Sequence, residues 1–417
     1  MYTFSDELPL DDDSNRHQSG WGRLDVHARR VRALYMEPLH IVISPNIYLR
    51  IRAMRDSPLL PGLRKIYIPN SPSLDLSSAL FLASGSTLSM VELDGNAISD
   101  RQFFVPFLSL LNIKSPGLLH LAIRGAILSA SVEPIYRFTE LRSLEIRLCN
   151  PHIHPQLLHK LGQLPHLLGL IIDVATLIRP HTNPISIGNS EFRQLRHLHI
   201  LGSTISINCI LNELRGLTNL SALKINEVWD GWAGISADSS WRSSFEVIST
   251  YSAVKYIEIT HDLNRPRGQY YLSASSLAPL FRLDNLKSFV TNLYITFSGS
   301  EFYDDNIRLL AIGFPELERF VVSGSLFPSR GFRRTLACLY HLSQDRPDLR
   351  EIKIALSFNI SDNNNLNAIE GSEVPAYRVV RNYDHPLENF YIDSDFGQLK
   401  SIQLVQVARF LELNFPN

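Results

Sequence analysis

Cysteine is scarce in this chain and scattered along it. Its 417 residues hold three, Cys149, Cys209 and Cys338, far apart in sequence. An odd, sparse set excludes a disulfide framework, and no C-x-x-C spacing offers a zinc knuckle. Charge of one sign is lacking too: 40 Lys+Arg stand against 41 Asp+Glu, a net charge of −1. That excludes nucleic-acid binding through bulk charge, though not through a local patch. Long apolar runs are missing. The longest, Leu164 to Ile178, is broken by His166 and Asp173 and is too short to span a bilayer. The first thirteen residues carry five acids and no apolar core, unlike a secretory signal. The expectation is an intracellular, reducing location, cytoplasm or nucleus, with no membrane or nucleic-acid partner.

Catalytic signatures are also missing. There is no GxxxxGK, GxGxxG, GxSxG or HExxH. Asp395-Phe-Gly397 spells a kinase-like triplet without any of its companion motifs. His152, His154, His159 and His166 cluster, but no cysteine or suitable carboxylate joins them, and Pro151 and Pro155 mark a loop. Neither an enzyme nor a bound cofactor or metal is expected.

What the chain does have is a core and a repeat. Hydrophobic residues make up 45% and aromatics 10%, enough to bury a large interior. One phrase recurs: apolar, two variable residues, apolar, one variable residue, apolar. It reads VRALYM from Val31, LRKIYI from Leu63, LSMVEL from Leu88, LLHLAI from Leu118 and LRSLEI from Leu141. It continues as LLGLII from Leu167, LRHLHI from Leu195, LSALKI from Leu220 and VKYIEI from Val254. Looser copies are LKSFVT from Leu286, LERFVV from Leu317 and LREIKI from Leu349. Successive starts lie 23 to 34 residues apart.

The alternation that ends each phrase predicts a strand. Between phrases the period lengthens. Leu157, Leu158, Leu161 and Leu164 share one helix face, as do Leu277, Leu280 and Phe281, and Ile307, Leu310, Ala311 and Phe314. Pro165, Pro315 and Pro347 stand two places before the next phrase, where a proline stops a helix. Strand, loop, helix, strand at this spacing gives parallel strands joined by right-handed crossovers. A single unit cannot bury both its elements, so units must stack.

The phrase L-x-x-L-x-L at this period resembles the leucine-rich repeat. The unit Leu88-S-M-Val91-E-Leu93-D-G-Asn96-A-Ile98 matches its longer consensus, and Cys149 stands where some such repeats carry Cys in place of Asn. Most other units lack that residue, so the likeness is to a degenerate, intracellular subclass. The resemblance covers nearly everything after residue 30. It implies an α/β fold: a right-handed leucine-rich-repeat-type solenoid, or horseshoe, of parallel strands and outer helices. A second segment, Trp21-G-Arg23-Leu24 through Ala28 to Val31-R-A-Leu34, resembles the stretch joining the F-box to the repeats in fungal F-box/leucine-rich-repeat proteins. A short amphipathic helix capping the array is the plainer reading.

The expected organisation is a disordered acidic tail over 1–20 and a solenoid over 21–417. Leu8-Pro9 is followed by one apolar residue and no helical period, so the F-box itself is expected to be missing. The resemblance implies the substrate-recognition half of an F-box-like ubiquitin-ligase receptor, binding the ligase adaptor only if an F-box is restored. A stand-alone interaction scaffold is the alternative. At the other end, Phe415-Pro416-Asn417 mimics the run-in to a further unit, which predicts an uncapped, partly apolar terminus.

A solenoid usually binds through its concave, strand-lined face. The outward strand positions there include Lys65, Tyr67, Glu92, His120, Glu145, His197, His199, Lys224, Tyr256, Glu258, Arg319 and Lys353. Their mixed chemistry suits a protein or peptide partner of unknown identity better than a polyanion. Lys224/Glu258 and Arg319/Glu351 occupy equal positions in successive units, the arrangement of cross-strand ion pairs. The residues that start each strand are mostly basic: Arg32, Arg64, Arg142, Arg196, Lys255, Lys287, Arg350 and Lys400, against Glu318 and Glu388. These form either a positive ridge for an acidic partner or ordinary solvated charge. The longest loop, read as Trp229 through Trp232 to Trp241, offers three tryptophans. They form either an exposed hot spot or a cluster packed onto the next helix. Leu121, Ile123, Leu144, Ile146, Leu198, Ile200, Leu223 and Ile225 are the expected core.

Overall fold

The computed structural model of the chain describes residues 25–36, 58–70, 88–125, 129–148, 155–174, 192–228, 237–261, 272–292, 295–296, 312–322, 348–354 and 387–392, with positions 47, 50–51, 53–54, 79, 82, 310, 339, 342, 345–346 and 408. The acidic tail over 1–20, Trp21–Leu24, Cys149, Cys338, His152, His154, Trp229, Trp232, residues 395–397 and the C-terminal end lie outside the described residues.

Each of the twelve phrases becomes a strand: β1 (Ala33–Tyr35), β2 (Lys65–Ile68), β3 (Met90–Asp94), β4 (His120–Gly125), β5 (Ser143–Leu148), β6 (Gly169–Asp173), β7 (His197–Gly202), β8 (Ala222–Glu227), β9 (Tyr256–His261), β11 (Ser288–Thr291), β13 (Arg319–Val322) and β14 (Glu351–Ile354). A further copy, LENFYI from Leu387, forms β15 (Asn389–Ile392). Among the described residues the short strands β10 (Leu272–Ser273) and β12 (Ile295–Thr296) pair only with each other.

The chain divides into two compact units, residues 1–145 and 146–417, with the division inside β5. In the first unit β1 to β4 follow one another as parallel neighbours. In the second the order is β6, β7, β8, β9, β11, β13, β14, β15, again parallel throughout. Among the described residues the sheet holds thirteen strands, and β1 and β15 each have a single neighbour, as in an open sheet. The α/β class and the parallel strands are therefore as expected.

Alternation sets the register. In β7 and β8 the inward residues Leu198, Ile200, Leu223 and Ile225 are at most 2% exposed, and they pair Leu198 with Leu223 and Ile200 with Ile225. Leu121, Ile123, Leu144 and Ile146 are buried likewise. A one-residue slip would turn all of them to solvent, so burial holds the register firmly. The backbone pins it a second time just before each strand, where one carbonyl accepts two successive amides of the next. The Arg32 carbonyl takes Arg64 N at 2.8 Å and Lys65 N at 3.0 Å, and the Arg196 carbonyl takes Ser221 N and Ala222 N, both at 2.9 Å.

Helices cover the inward side of these strands. Leu157, Leu158 and Leu161 of the helix Pro155–Gly162 are buried, and so is Leu164 just after it. Pro165 and Pro315 sit in the turns that follow, as their missing N–H requires. Leu277 and Leu280 are buried as well, but Pro279 cannot donate, and the short helix Ala274–Leu277 tightens into a 3₁₀ turn over Ala278–Arg282. Trp241 corrects the long-loop reading. It lies in the helix Ala237–Ile248, 3% exposed and stacked on Phe245 with centroids 5.3 Å apart. Trp241, Phe245 and Ile248 recur at helical spacing and are buried together, so the ring packs inward and is no exposed hot spot. No helix among the described residues is long and apolar enough to cross a membrane.

The turn after β3 needs a glycine. Gly95 has φ +55°, its amide donates to the Arg124 carbonyl at 2.6 Å, and a Cβ there would lie 2.0 Å from the Asn70 side chain. Gly95→Ala is expected to lose at least about 1–2 kcal/mol from the left-handed backbone alone. Thermal unfolding would detect this, and an unchanged midpoint would show that the turn relaxes.

Candidate recognition face

The outward residues of the parallel strands alternate with the buried ones and carry mixed chemistry, so the candidate site is built from them. In the first unit Arg124 organises that surface. It follows Leu121 and Ile123 on the opposite face of β4, directly across from Asp94. Its guanidinium donates to both carboxylate oxygens of Glu145 at 2.7 and 2.8 Å, and to Glu92 and Asp94 at 3.2 Å each. Lys65 meets Glu92 at 2.9 Å, and the Tyr67 hydroxyl donates to Asp94 at 2.9 Å. Two cations thus hold three carboxylates in a closed network across β2 to β5. The bidentate contact with Glu145, aided by Glu92 and Asp94, holds the Arg124 guanidinium firmly charged. Burial pushes the Glu92 carboxyl up, but the bonds from Lys65 and Arg124 prevail and hold it below its usual range. Beside the network, Tyr35 is 58% exposed, and the Lys65 ammonium lies 5.4 Å from its ring centre. His120 is exposed.

In the second unit His197 is exposed and His199 half-buried, both on the outward side of β7. Lys224 and Glu258 stand opposite each other on β8 and β9 and form an ion pair at 2.7 Å. Arg319 and Glu351 do the same on β13 and β14 at 2.8 Å. Such half-exposed pairs contribute about 0.2–1 kcal/mol each, so they set local order rather than stability. Tyr256 and Tyr391 are both about half exposed, at 50% and 52%. Lys353 lies across from Tyr391 on the neighbouring strand.

The proton of His199 is perturbed. Burial, reinforced by the Lys224 and Arg147 cations, pushes its pKa below the ordinary 6.5, while Asn226 and Glu258 act weakly the other way. Its Nε2 is buried without a hydrogen-bond partner. The folded state therefore resists protonation more than the unfolded state does. The stability that neutral His199 contributes is fully present above pH 6.5 and is lost as pH falls below that value. His199→Gln is expected to lose less stability than the parent between neutral and mildly acidic pH, as read by urea unfolding. Equal losses would show that His199 is not the responsive group.

Inside the second unit lies a polar cluster that the sequence reading passed over. Glu227 and His261 continue the inward rows Leu223–Ile225 and Ile257–Ile259 and are only 4% and 7% exposed. The Glu227 carboxylate accepts from the Thr204 hydroxyl and lies 3.0 Å from His261 Nδ1. Asn292 closes the backbone, with its Oδ1 accepting the His261 amide at 2.6 Å and its Nδ2 donating to the His261 carbonyl at 3.1 Å. Thr204 opens the helix Thr204–Glu213, whose amide-rich end favours a carboxylate. Hydroxyl, carboxylate and imidazole are all present, but the carboxylate sits in the middle. A nucleophile would need the imidazole there to take its proton, and burial denies a substrate any approach. The arrangement ties β8 and β9 to the helix.

The sequence-derived positions thus fall into two groups. Lys65, Tyr67, Glu92 and Glu145 are gathered by Arg124 in the first unit, with His120 beside them. His197, His199, Lys224, Tyr256, Glu258, Arg319 and Lys353 line the second. Glu145 is the least available, at 9% exposure, because Arg124 occupies its carboxylate. Arg124 and Asp94 were missed, though a further step of two along LLHLAI and LSMVEL reaches both. Among the described residues no group of three or more His, Cys, Asp or Glu is placed to hold a metal ion. No family model matches the chain, and no curated protein matches it.

Proposed function

We propose that the chain is a protein-recognition module that binds a protein partner through the outward face of its parallel strands. Under this reading the fold is a right-handed leucine-rich-repeat-type solenoid, and the chain binds rather than catalyses. The observation that carries it is the placement of Tyr35, Tyr256 and Tyr391. Among the described residues they belong to the short set of exposed large hydrophobics, and all three stand on the outward sheet rows, interleaved with ordered charge. Tyrosine offers a large, rigid contact with a polar tip, and it is enriched at binding hot spots. The mixture of both charge signs fits a protein surface better than a uniform polyanion.

The further step, to the substrate-recognition half of an F-box-like ubiquitin-ligase receptor, rests on the likeness of Trp21 to Leu34 alone. Photo-cross-linking in cells tests both levels. A cross-linking amino acid is placed at Lys224 or Tyr391 on the face, and at Arg242 or Ile113 on helices. A defined protein captured from the face positions and not from the helices is the expected result. Equal capture from both sets would overturn the recognition face. If depleting the chain leaves the captured partner's lifetime unchanged, the ligase role falls and a stand-alone scaffold is what remains.

A further inference from the structure

The basic residues that start the strands are not equivalent once their partners are known. In the second unit Lys287 is tied to Glu318 at 2.5 Å, and Arg350 lies 3.7 Å from Glu388. The Glu318 bond raises the Lys287 pKa, and the Lys287 bond lowers that of Glu318, as expected for a mutually satisfied pair. This stretch neutralises itself. Arg196 and Lys255 differ. Both are exposed, and neither has an ion pair or a side-chain hydrogen bond among the described residues. The acid nearest Lys255 in sequence, Glu258, is held by Lys224 at 2.7 Å, and the one nearest Arg196, Glu191, lies outside the described residues.

Their spacing is set by the backbone. Arg196 precedes β7, Ser221 precedes β8 and Lys255 precedes β9. The Arg196 carbonyl accepts Ser221 N at 2.9 Å, and the Ser221 carbonyl accepts Lys255 N at 2.9 Å. The Ser221 hydroxyl is turned back to the Arg196 carbonyl at 3.0 Å, so no acid separates the two cations. Two strand spacings put their backbones about 10 Å apart. The next residues, His197 and Tyr256, are exposed on the outward face and bring an imidazole and a phenol to the same edge.

We propose that this edge binds an extended acidic peptide segment whose two carboxylates are three residues apart, one engaging Arg196 and the other Lys255, with an apolar side chain against Tyr256. In a polyproline II conformation the chain advances about 3.1 Å per residue and side chains three apart point the same way, so both carboxylates face the edge about 9 Å apart. Carboxylates two apart fall short at about 7 Å, and a helix places i, i+3 and i+4 only about 5–6 Å apart. The inference rests on the reading that the outward face recognises a protein, and it names the chemistry of one part of that partner.

The test uses the full chain and fluorescently labelled synthetic peptides, read by anisotropy at low and physiological salt. The probe carries Glu-Ser-Ser-Glu followed by Leu, and a second peptide has the same composition with the glutamates adjacent. The first is expected to bind more tightly, and more weakly as salt rises. Arg196→Gln with Lys255→Gln is expected to weaken it at least about tenfold. Lys287→Gln, which removes a cation already paired, is expected to change it little. Unchanged affinity in the double variant would overturn the proposal, as would equal binding of the two peptides. Equal competition by a single-stranded RNA of matching charge would overturn it in favour of generic anion attraction. If the peptide result fails while cross-links at Lys224 and Tyr391 persist, this edge is wrong and the recognition face stands. If both fail, the face falls with it.

Discussion

Leu198→Ala is expected to destabilise the second unit by about 2–5 kcal/mol, while His197→Ala one residue away changes it by no more than about 0.5 kcal/mol. The contrast follows from the pleat. Leu198 is 2% exposed and sits in register between Leu170 and Leu223, so truncation leaves a cavity that close-packed neighbours cannot fill. His197 points to the other face and is exposed. The size of the loss depends on how far the surrounding strands collapse, hence the range. Because the chain holds two compact units, a single global midpoint is not a safe readout. Hydrogen exchange of the β6, β7 and β8 amides reads the local effect directly. Comparable losses from both variants would mean that the strand phasing is wrong.

Glu227→Ala should cost as much, for a different reason. The carboxylate serves two buried donors, the Thr204 hydroxyl and the His261 ring, and neither can turn to water at the depth it occupies. Each abandoned buried group costs about 1–3 kcal/mol, so the single substitution is expected to lose roughly 2–6 kcal/mol. Replacing all three members together, as Thr204→Val, Glu227→Leu and His261→Leu, is expected to recover a large part of it, because apolar groups ask for no partner. The non-additivity is the signature. If the triple variant lost the sum of the single losses, the three groups would be acting independently and the cluster would not be a network.

The two predictions draw on different kinds of information. Leu198 could be placed from the chain alone. A phrase of fixed form recurring every 23 to 34 residues leaves one way to alternate, and each copy of it became a strand with its apolar members inward. The copy at Leu387 satisfies the same rule and became β15. Glu227 and His261 break the rule, being polar residues at inward positions. Nothing local says whether such a residue ends the strand, faces water or finds a partner. Here the partner is Thr204, 23 residues earlier, and only the stacking of successive units brings it within reach.

Trp241 shows the opposite limit. Reading it as the end of a tryptophan-bearing loop gave weight to the Gly and Ser that surround it. In the structure the helix already begins at Ala237, and the stacking of Trp241 on Phe245 settles where the ring goes. On the outward face, alternation named Lys65, Glu92, Lys224 and Glu258 as exposed-side residues, yet it could not say which cations would be neutralised. Lys287 and Arg196 occupy the same place in the repeat. One faces a glutamate just before the following strand and the other a serine.

The α/β class, the parallel strands at the twelve phrases and the core register were therefore decided by the sequence itself, because they depend on periodicity, and periodicity is a property of the chain. Which charges pair, which polar groups are buried together and which cations stay available depend on residues 20 to 40 positions apart becoming neighbours one strand spacing away. That is a property of the stacked strands, and only the tertiary structure decides it.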